Sequence, residues 1–379
     1  MATVVGNASN NTIKGSSGAD DLSGLRGDDT LLGRAGDDIL KGGIGSDRLE
    51  GSDGNDVLDG GSSKDTLIGG RGDDTYVVNG LGDRVVEAPN EGLDTVQSTV
   101  SYKLGANLEN LTLIGSKPSR GTGNSGNNII IGNNARNILK GLAGDDRIDG
   151  GRGNDVLDGG IGNDILVGGL GNDVYVINST SDRIFENPGQ GIDRVDSLVS
   201  FTLTDGLDNL TLLGTGSASG IGNALRNVLV GNSGNNGLSG EDGADDLTGG
   251  GGNDVLTGGA GLDLFIYDTR NPFADADIGF DTITDFTRNE DLIVVSRRTF
   301  GLTSDSGFGF SASSEFAAVS DNKAAETSAA RIVFSRSTGT LFYNTNGTNG
   351  GFGSSASSGS FAVLQGISNL AGTDFLIKA

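Results

Sequence analysis

Aspartate residues recur at every ninth position over much of this chain, and their spacing is the sequence feature most able to support chemistry. Fourteen of them share position six of a nine-residue repeat. They are Asp20, Asp29, Asp38, Asp47, Asp56, Asp65, Asp74, Asp146, Asp155, Asp164, Asp173, Asp245, Asp254 and Asp263. Aspartates that merely form turns bond their own backbone, which gives no reason to keep one phase over so many residues. Carboxylates combined with backbone carbonyls are ligands that calcium prefers, so the pattern predicts repeated calcium sites.

The repeat around each aspartate reads Gly-Gly-x-Gly-x-Asp-x-apolar-x, as in residues 42–50 and 159–167. It fills three blocks, which run from Gly6 to Val77, from Gly123 to Val176 and from Gly222 to Ile266. Glycine permits the sharp turn of the first six residues, and the last three predict a short strand. Two nonamers then complete one coil, and successive coils pair as parallel strands about 4.8 Å apart. The predicted fold is an all-β parallel β-roll, or β-solenoid.

The apolar residue at position eight of each nonamer is predicted to point into the coil. These residues include Leu22, Leu31, Leu40, Leu49, Leu58, Leu67, Leu157 and Leu166. One apolar side chain per strand makes a thin core, which cannot offset the conformational entropy lost by the two nonamers of a coil. We therefore expect metal binding to supply part of the folding free energy.

The nonamers resemble the repeats-in-toxin (RTX) calcium-binding repeats. The resemblance implies that each calcium ion lies between turns two nonamers apart. It implies sites at the aspartate pairs 20/38, 29/47, 38/56, 47/65, 56/74, 146/164, 155/173 and 245/263. Calcium should be weak or absent where asparagine replaces the aspartate, at Asn11, Asn128, Asn137, Asn227 and Asn236. Ser63 and Lys64 interrupt the turn within residues 60–68.

Two spacers of 45 residues separate the blocks. The predicted organisation is a first block at 1–77, a spacer at 78–122, a second block at 123–176, a spacer at 177–221 and a third block at 222–266. Residues 72–122 resemble residues 171–221 at an offset of 99, which indicates duplication. We predict β-rich connectors without calcium, and the alternative is a ligand-binding face, for example for sugars. Alternation predicts one strand through Val96, Val100, Tyr102 and Leu104, and another through Leu108, Leu111 and Leu113.

Residues 267–379 break the nonamer period and are predicted to form a β cap. Strands are expected at 281–286 and 290–295, with a hairpin of Arg331–Phe334 and Thr340–Tyr343 and a loop at 344–360. Asp275, Asp277 and Asp281 are interpreted as solvated turn acids, and an added calcium site is the alternative. The segment from Asp374 to Ile377 resembles the C-terminal tails of proteins exported by type I secretion, which implies that machinery as a partner.

Composition limits the remaining functions. The formal net charge of −24 disfavours nucleic acid and anionic lipid as partners. The chain has no Cys and no His, which excludes thiol nucleophiles, Ser-His dyads and histidine-ligated zinc. No apolar run is long enough to span a membrane. Residues 1–15 lack the charged start and apolar core of a signal peptide. We expect export by a route that reads no N-terminal signal.

The leading hypothesis is a non-enzymatic, secreted structural protein of the cell surface or extracellular matrix, such as a coat, sheath or filament component. It would fold on binding extracellular calcium. The alternative is a calcium-dependent adhesin or polysaccharide-binding module, because the third block and cap resemble the non-catalytic modules of alginate epimerases. The first nonamer begins at Gly6, and residues 1–5 are too short to cap a stack. We therefore expect a homo-oligomer or polymer; the alternative is that this segment folds over its own edge.

Overall fold

The computed structural model describes residues 2–80, 82–344 and 359–379 and shows an all-β protein, with 45% strand and 4% helix. The chain folds into two compact units, Met1–Ile192 and Asp193–Ala379. The predicted loop at 344–360 lies outside the described residues except at its ends. The three described α-helices have four or five residues each, and none is long enough to cross a membrane.

The first unit is built from short strands that follow one another along the chain. They are β1 (Ala2–Val5), β2 (Thr12–Lys14), β3 (Asp20–Arg26), β4 (Thr30–Ala35), β5 (Ile39–Ile44), β6 (Arg48–Asp53), β7 (Val57–Ser62), β8 (Thr66–Arg71), β9 (Thr75–Val78), β10 (Arg84–Val86), β11 (Thr95–Ser98), β12 (Tyr102–Lys103), β13 (Asn110–Leu113), β14 (Ser119–Thr122), β15 (Ile129–Ile131), β16 (Asn137–Ala143), β17 (Arg147–Arg152), β18 (Val156–Ile161), β19 (Ile165–Leu170), β20 (Val174–Ile177) and β21 (Arg183–Phe185).

Alternate strands of this unit stack in parallel, as expected for a coil of two nonamers. One sheet has the order β1-β3-β5-β7-β9-β11-β13-β15-β17-β19-β21, a second has the order β2-β4-β6-β8-β10, and a third contains β12-β14-β16-β18-β20. Leu22 pairs with Leu40, and Leu40 pairs with Leu58, so the register advances by two nonamers per coil. The predicted parallel β-solenoid is confirmed.

The core of the coils consists of the position-eight side chains. Leu22, Leu31, Leu40, Leu49, Leu58, Leu67, Leu157 and Leu166 are all 0% exposed. Strand burial alternates along each strand, so that one leucine of each short strand faces inward while its neighbours face out. The predicted core positions are therefore confirmed.

The first spacer continues the coil stack. Strand β11 pairs in parallel with both β9 and β13, which places Val96 beside Tyr76 on one side and Leu111 on the other. The single strand predicted through residues 96–104 is wrong, because β11 ends at Ser98 and β12 joins a different sheet. The hydroxyl of Ser98 accepts the Val100 N–H and donates to the Val100 carbonyl, which turns the chain at this corner.

The second unit contains the remaining strands and all three helices. Its elements are β22 (Arg194–Ser197), β23 (Phe201–Thr202), β24 (Asn209–Leu212), β25 (Ser219–Ile221), β26 (Val228–Val230), β27 (Gly237–Ser239), β28 (Asp246–Thr248), β29 (Val255–Thr257), β30 (Leu264–Tyr267), α1 (Asp275–Ile278), β31 (Asp281–Ile283), β32 (Leu292–Ser296), α2 (Arg297–Phe300), β33 (Gly307–Phe308), β34 (Phe316–Val319), α3 (Asn322–Glu326), β35 (Ile332–Ser335), β36 (Thr340–Tyr343), β37 (Ser360–Leu364), a 3₁₀ turn (Gly372–Asp374) and β38 (Phe375–Lys378).

The C-terminal region begins by extending the coils and ends in an irregular β layer. Strand β31 pairs in parallel with β29, and β32 pairs in parallel with β30. The predicted hairpin is confirmed, since β35 and β36 are antiparallel. The tail strand β38 lies between β32 and β33, with Phe375 buried beside Phe310 and Phe316.

The N-terminal segment covers part of the first coil. Strand β1 pairs in parallel with β3, with Val4 beside Leu22. This is the alternative arrangement that the sequence left open, in which the segment folds over its own edge. Val4 and Val5 remain exposed, and the outer side of β1 carries no strand among the described residues. Self-association stays a prediction.

Candidate calcium sites

All fourteen predicted aspartates are buried, with exposed fractions of 3% or less. They form a ladder from coil to coil, in which the backbone N–H of one aspartate donates to Oδ1 of the aspartate two nonamers later. The eight pairs expected from the sequence make this contact at 2.7–2.9 Å: 20/38, 29/47, 38/56, 47/65, 56/74, 146/164, 155/173 and 245/263. The structure therefore brings together the residues that the spacing paired, and their role as calcium ligands stays a prediction.

The second carboxylate oxygen differs from the first in most of the ladder aspartates, whereas Oδ2 of Asp20 accepts hydrogen bonds from the N–H and hydroxyl of Ser16. Oδ2 is buried and accepts no hydrogen bond from the described residues in Asp29, Asp38, Asp47, Asp56, Asp65, Asp74, Asp146, Asp155, Asp164, Asp245, Asp254 and Asp263. A buried carboxylate oxygen without a partner is costly unless a cation or a proton compensates it. Each of these twelve turns therefore offers one carboxylate oxygen to a ligand that the described residues do not provide.

A backbone carbonyl of the next coil faces the same space. If a Cβ atom is placed on Gly42, the first residue of its nonamer, it overlaps Asp47 Oδ2 and lies 2.7 Å from the carbonyl oxygen of Gly60. Gly33 and Gly51 are surrounded in the same way by their own aspartate and by the glycine two nonamers later. Only glycine leaves this space open, and the oxygens that line it are of the type that calcium binds. The residues thus fit calcium.

The pKa values of these carboxyl groups report how strongly the site disfavours uncompensated charge. Burial raises the pKa of Asp65, Asp74 and Asp146 to about 7, although the backbone N–H on Oδ1 lowers it. Neighbouring carboxylates raise the pKa further, for example Asp83 and Asp47 at Asp65. Near neutral pH, a cation or protons must therefore balance the folded ladder.

The asparagine turns satisfy their own polar groups. In Asn128, Oδ1 accepts the Asn124 N–H at 2.8 Å, and Nδ2 donates to the carbonyls of Leu108 at 3.1 Å and Glu109 at 3.2 Å. The amide thus donates to carbonyls of the preceding coil, where a carboxylate could not. Asn227 repeats the arrangement with Asn223 and Asp208. These contacts support the prediction that calcium is weak or absent at the five asparagine turns.

Five further aspartates belong to the ladder; the sequence analysis named only Asp281 among them, as part of an alternative calcium site, and did not name the other four. Oδ1 of each accepts the N–H of a predicted ladder residue at 2.9–3.2 Å: Asp83 from Asp65, Asp94 from Asp74, Asp182 from Asp164, Asp281 from Asp254 and Asp291 from Asp263. Asp83 and Asp182 keep the offset of two nonamers and could have been found by it. The other three follow insertions that break the fixed period.

The interpretation of Asp281 as a solvated turn acid is wrong. Asp281 is 1% exposed, and burial raises its pKa to about 8. The chain leaves the coil after β30 and returns to the register at β31, which places this carboxylate in the ladder. Asp277 lies in α1 and is exposed, and the side chain of Asp275 lies outside the described residues.

The interrupted turn at residues 60–68 still forms. Strands β7 and β8 frame it, and Asp65 is 1% exposed. Ser63 adopts a positive φ of 98°, which is unfavourable for a residue with a side chain. The turn therefore keeps its carboxylate in place and carries backbone strain at Ser63.

Comparison with known proteins identifies the repeats. The RTX calcium-binding nonapeptide repeat (4 copies) matches residues 5–40, 41–76, 122–157, 141–175, 221–256 and 239–268. The chain carries RTX calcium-binding repeats. A stretch of 57 residues is 46% identical to the endo-1,3-1,4-beta-glycanase EglC of Rhizobium meliloti (strain 1021), which is 15% of this chain and 12% of that protein. The chain therefore spans about an eighth of the length of this relative.

Proposed function

We propose that this RTX protein is a secreted structural component of a cell surface or extracellular matrix, without catalytic activity, that folds when it binds extracellular calcium. The observation that carries the proposal is the set of buried Oδ2 atoms that accept no hydrogen bond from the described part of the chain, several of which face a backbone carbonyl of the next coil. RTX repeats are typical of secreted proteins, which supports the extracellular location.

The acidic turns provide the coupling between calcium and folding. Calcium, when bound, supplies the positive charge that compensates the ladder carboxylates. At the low calcium concentration of a cytosol, burial of these carboxylates opposes folding. Outside the cell, ligands with dissociation constants of about 10⁻⁴ to 10⁻³ M stabilise the folded state by RT ln(1 + [L]/Kd) per site. Because many sites share one ladder, folding is expected to respond steeply to calcium.

The test is far-UV circular dichroism of the full chain with calcium and with a chelator. We expect the β-sheet spectrum to appear only with calcium, since ion binding here contributes directly to folding. A spectrum that stays unchanged in the chelator contradicts the proposal.

Self-association through β1 is the second part of the proposal. An edge strand with free backbone groups tends to recruit another chain, and the outward Val5 is 57% exposed. Val5→Lys should reduce association in calcium, measured by light scattering and electron microscopy. Ile161→Lys, at an apolar side chain that is 76% exposed elsewhere, is the matched control. A wild-type protein that stays monomeric at all concentrations rules out a coat or filament.

A calcium-dependent adhesin or polysaccharide-binding module is the alternative function. It is favoured by the segment shared with an endo-1,3-1,4-beta-glycanase and by a cleft in the second unit that carries several polar side chains. The cleft has a volume of about 360 Å³ and is lined by polar residues that include Asn232, Asp268, Thr269 and Asn271. A glycan array probed in calcium and in chelator distinguishes the two functions. Specific calcium-dependent binding supports the module, and polymer formation without glycan binding supports the coat.

A further inference from the structure

The first two nonamer blocks end where the next coil no longer carries a glycine turn. Inside a block, the space beside a first glycine is closed by the carbonyl of the glycine two nonamers later, as Gly60 does for Gly42. At the end of the first block, the residue that lies two nonamer lengths after Gly69 is Glu87. The coil register therefore brings a glutamate to the position that a glycine holds elsewhere.

Four side chains converge at this block end. A Cβ atom placed on Gly69 overlaps both Asp74 Oδ2 and Tyr76 Oη, so these two atoms border one space. Asp74, Glu87 and Asp94 each offer a carboxylate oxygen, and the three oxygens lie within 4.8 Å of one another. The N–H of Asp74 also donates to Asp94 Oδ1 at 2.9 Å, which holds the two aspartates in place.

Four polar atoms of this cluster, on Asp74, Tyr76 and Glu87, are buried without a hydrogen bond from the described residues. Tyr76 is 0% exposed, and its hydroxyl has no hydrogen-bond partner among the described residues. Oδ2 of Asp74 is also buried without a hydrogen-bond partner among them. Both carboxylate oxygens of Glu87 are buried and accept no hydrogen bond of normal geometry, although the nearby Gly70 N–H lowers the pKa of the group. Burial and the charges of Asp94 and Asp74 nonetheless raise that pKa to about 8.

The second block ends with the same side chains. Tyr175 and Glu186 follow Tyr76 and Glu87 at the offset of 99 residues. A Cβ atom on Gly168 overlaps Tyr175 Oη and Asp173 Oδ2 and lies 2.8 Å from Glu186 Oε2. The hydroxyl of Tyr175 and Oε2 of Glu186 are hydrogen-bonded to each other. The cluster is thus a repeated feature of the block ends.

We propose that Asp74, Tyr76, Glu87 and Asp94 bind one hard divalent cation, and that Asp173, Tyr175 and Glu186 belong to a second site of this kind. The donors are all oxygens, and two or more carboxylates at one point select a hard cation. These sites differ from the nonamer sites because glutamate and tyrosine side chains replace the glycine carbonyl. The identification of the cation as calcium rests on the proposed function.

The clusters make the first residues of each spacer part of a metal site. The sequence had predicted spacers without calcium, whereas Glu87 lies within the first spacer and Glu186 within the second. Each spacer would then be joined to the preceding block through a shared ion as well as through strand pairing.

Terbium luminescence of the full chain tests the proposal, since tyrosine transfers excitation energy only to an ion close to its ring. The variants are Glu87→Gln, Glu186→Gln and their combination, and Glu326→Gln, an exposed acid of α3, is the matched control. We expect the double variant to show weaker tyrosine-sensitised emission than the wild type and to bind about two fewer calcium ions in equilibrium dialysis. The control should match the wild type.

Unchanged emission and an unchanged calcium count in the double variant overturn the inference. If the wild-type circular dichroism still responds to calcium in that case, the proposed function stands and only the block-end sites fail. If the glutamate variants do not fold, Tyr76→Phe combined with Tyr175→Phe keeps every carboxylate. That pair should fold and lose the part of the sensitised emission that comes from Tyr76 and Tyr175, whereas emission equal to that of the wild type overturns the proposal.

Discussion

A single methyl group at Gly51 should remove one calcium ion from the first block. Gly51 has no positive φ, so alanine is tolerated by the backbone itself. Its Cβ would overlap Asp56 Oδ2 and lie 2.9 Å from the carbonyl oxygen of Gly69, and these are the oxygens that are predicted to hold the ion. The substitution therefore fills a candidate site without removing a ligand.

The expected magnitude follows from ligand linkage. Above its dissociation constant, each ion adds about 1.4 kcal/mol to the free energy of unfolding per tenfold increase in calcium. At about 10 mM calcium and a Kd of 10⁻⁴ to 10⁻³ M, one site contributes about 1.4 to 2.7 kcal/mol. Steric strain from the new methyl group lowers stability at every calcium concentration. The number of bound ions is therefore read from the slope of the free energy of unfolding against the logarithm of the calcium concentration.

The assay is urea unfolding followed by far-UV circular dichroism at a series of calcium concentrations. Gly51→Ala should reduce the slope by about 1.4 kcal/mol per tenfold calcium, which is the contribution of one ion. Gly18→Ala is the matched control, since a Cβ there has no atom within 4 Å and Gly18 also lacks a positive φ. A variant that is less stable but has the wild-type slope refutes the assignment of the ion to this space.

Four further predictions concern the ladder and the tail. Asp38→Ala should raise the calcium concentration at the midpoint of folding more than Asp245→Ala does. Asp38 contacts an aspartate in each neighbouring coil, whereas Asp245 contacts Asp263 on one side and Asn227 on the other. Equal shifts of the midpoint in a calcium titration contradict this prediction. Asn128→Ala should lower the free energy of unfolding by about 1–3 kcal/mol, and by the same amount at every calcium concentration at which the chain is folded, because its hydrogen bonds need no ion. A loss that grows with the calcium concentration contradicts this. In chelator, any remaining folded population should lose stability as the pH rises from about 4 through 7. The buried carboxyl groups have raised pKa values, so the folded state binds more protons than the unfolded state over this range. A thermal unfolding midpoint that rises with pH over the same range contradicts this prediction. Deleting residues 361–379 should stop export in a host with a type I exporter while calcium binding by the first block remains, and normal export of the shortened chain rules out the tail as a signal.

The nonamer period was sufficient to predict the coils because it fixes both the inward leucines and the ladder aspartates. Leu22 and Leu40 lie where a coil of two nonamers places them, and Asp20 and Asp38 make the expected contact. The prediction depended on constant spacing. It failed at Asp94 and Asp281, where insertions of different length precede the return to the register.

The spacer strands and block ends could not be predicted from local patterns. Alternation from Val96 to Leu104 suggested one strand, whereas the Ser98 corner directs the chain into a second sheet. The convergence of Glu87 on Asp74 depends on which coils are neighbours, and that information is not contained in either segment alone. Contacts between coils therefore had to be seen in the structure.

The hydrogen bonds of the asparagine turns suggest a direction for the folding reaction. Repeat stacks can nucleate at any coil and then add neighbours, so the coil that is stable first decides where growth begins. Asn11, Asn128 and Asn227 open the three blocks, and the amide of each closes its turn by hydrogen bonds to the backbone or to a neighbouring amide. We expect these turns to form without calcium and to provide a folded coil on which the following aspartate turns can pair. Each block should then fold from its N-terminal coil toward its C-terminal coil as calcium binds.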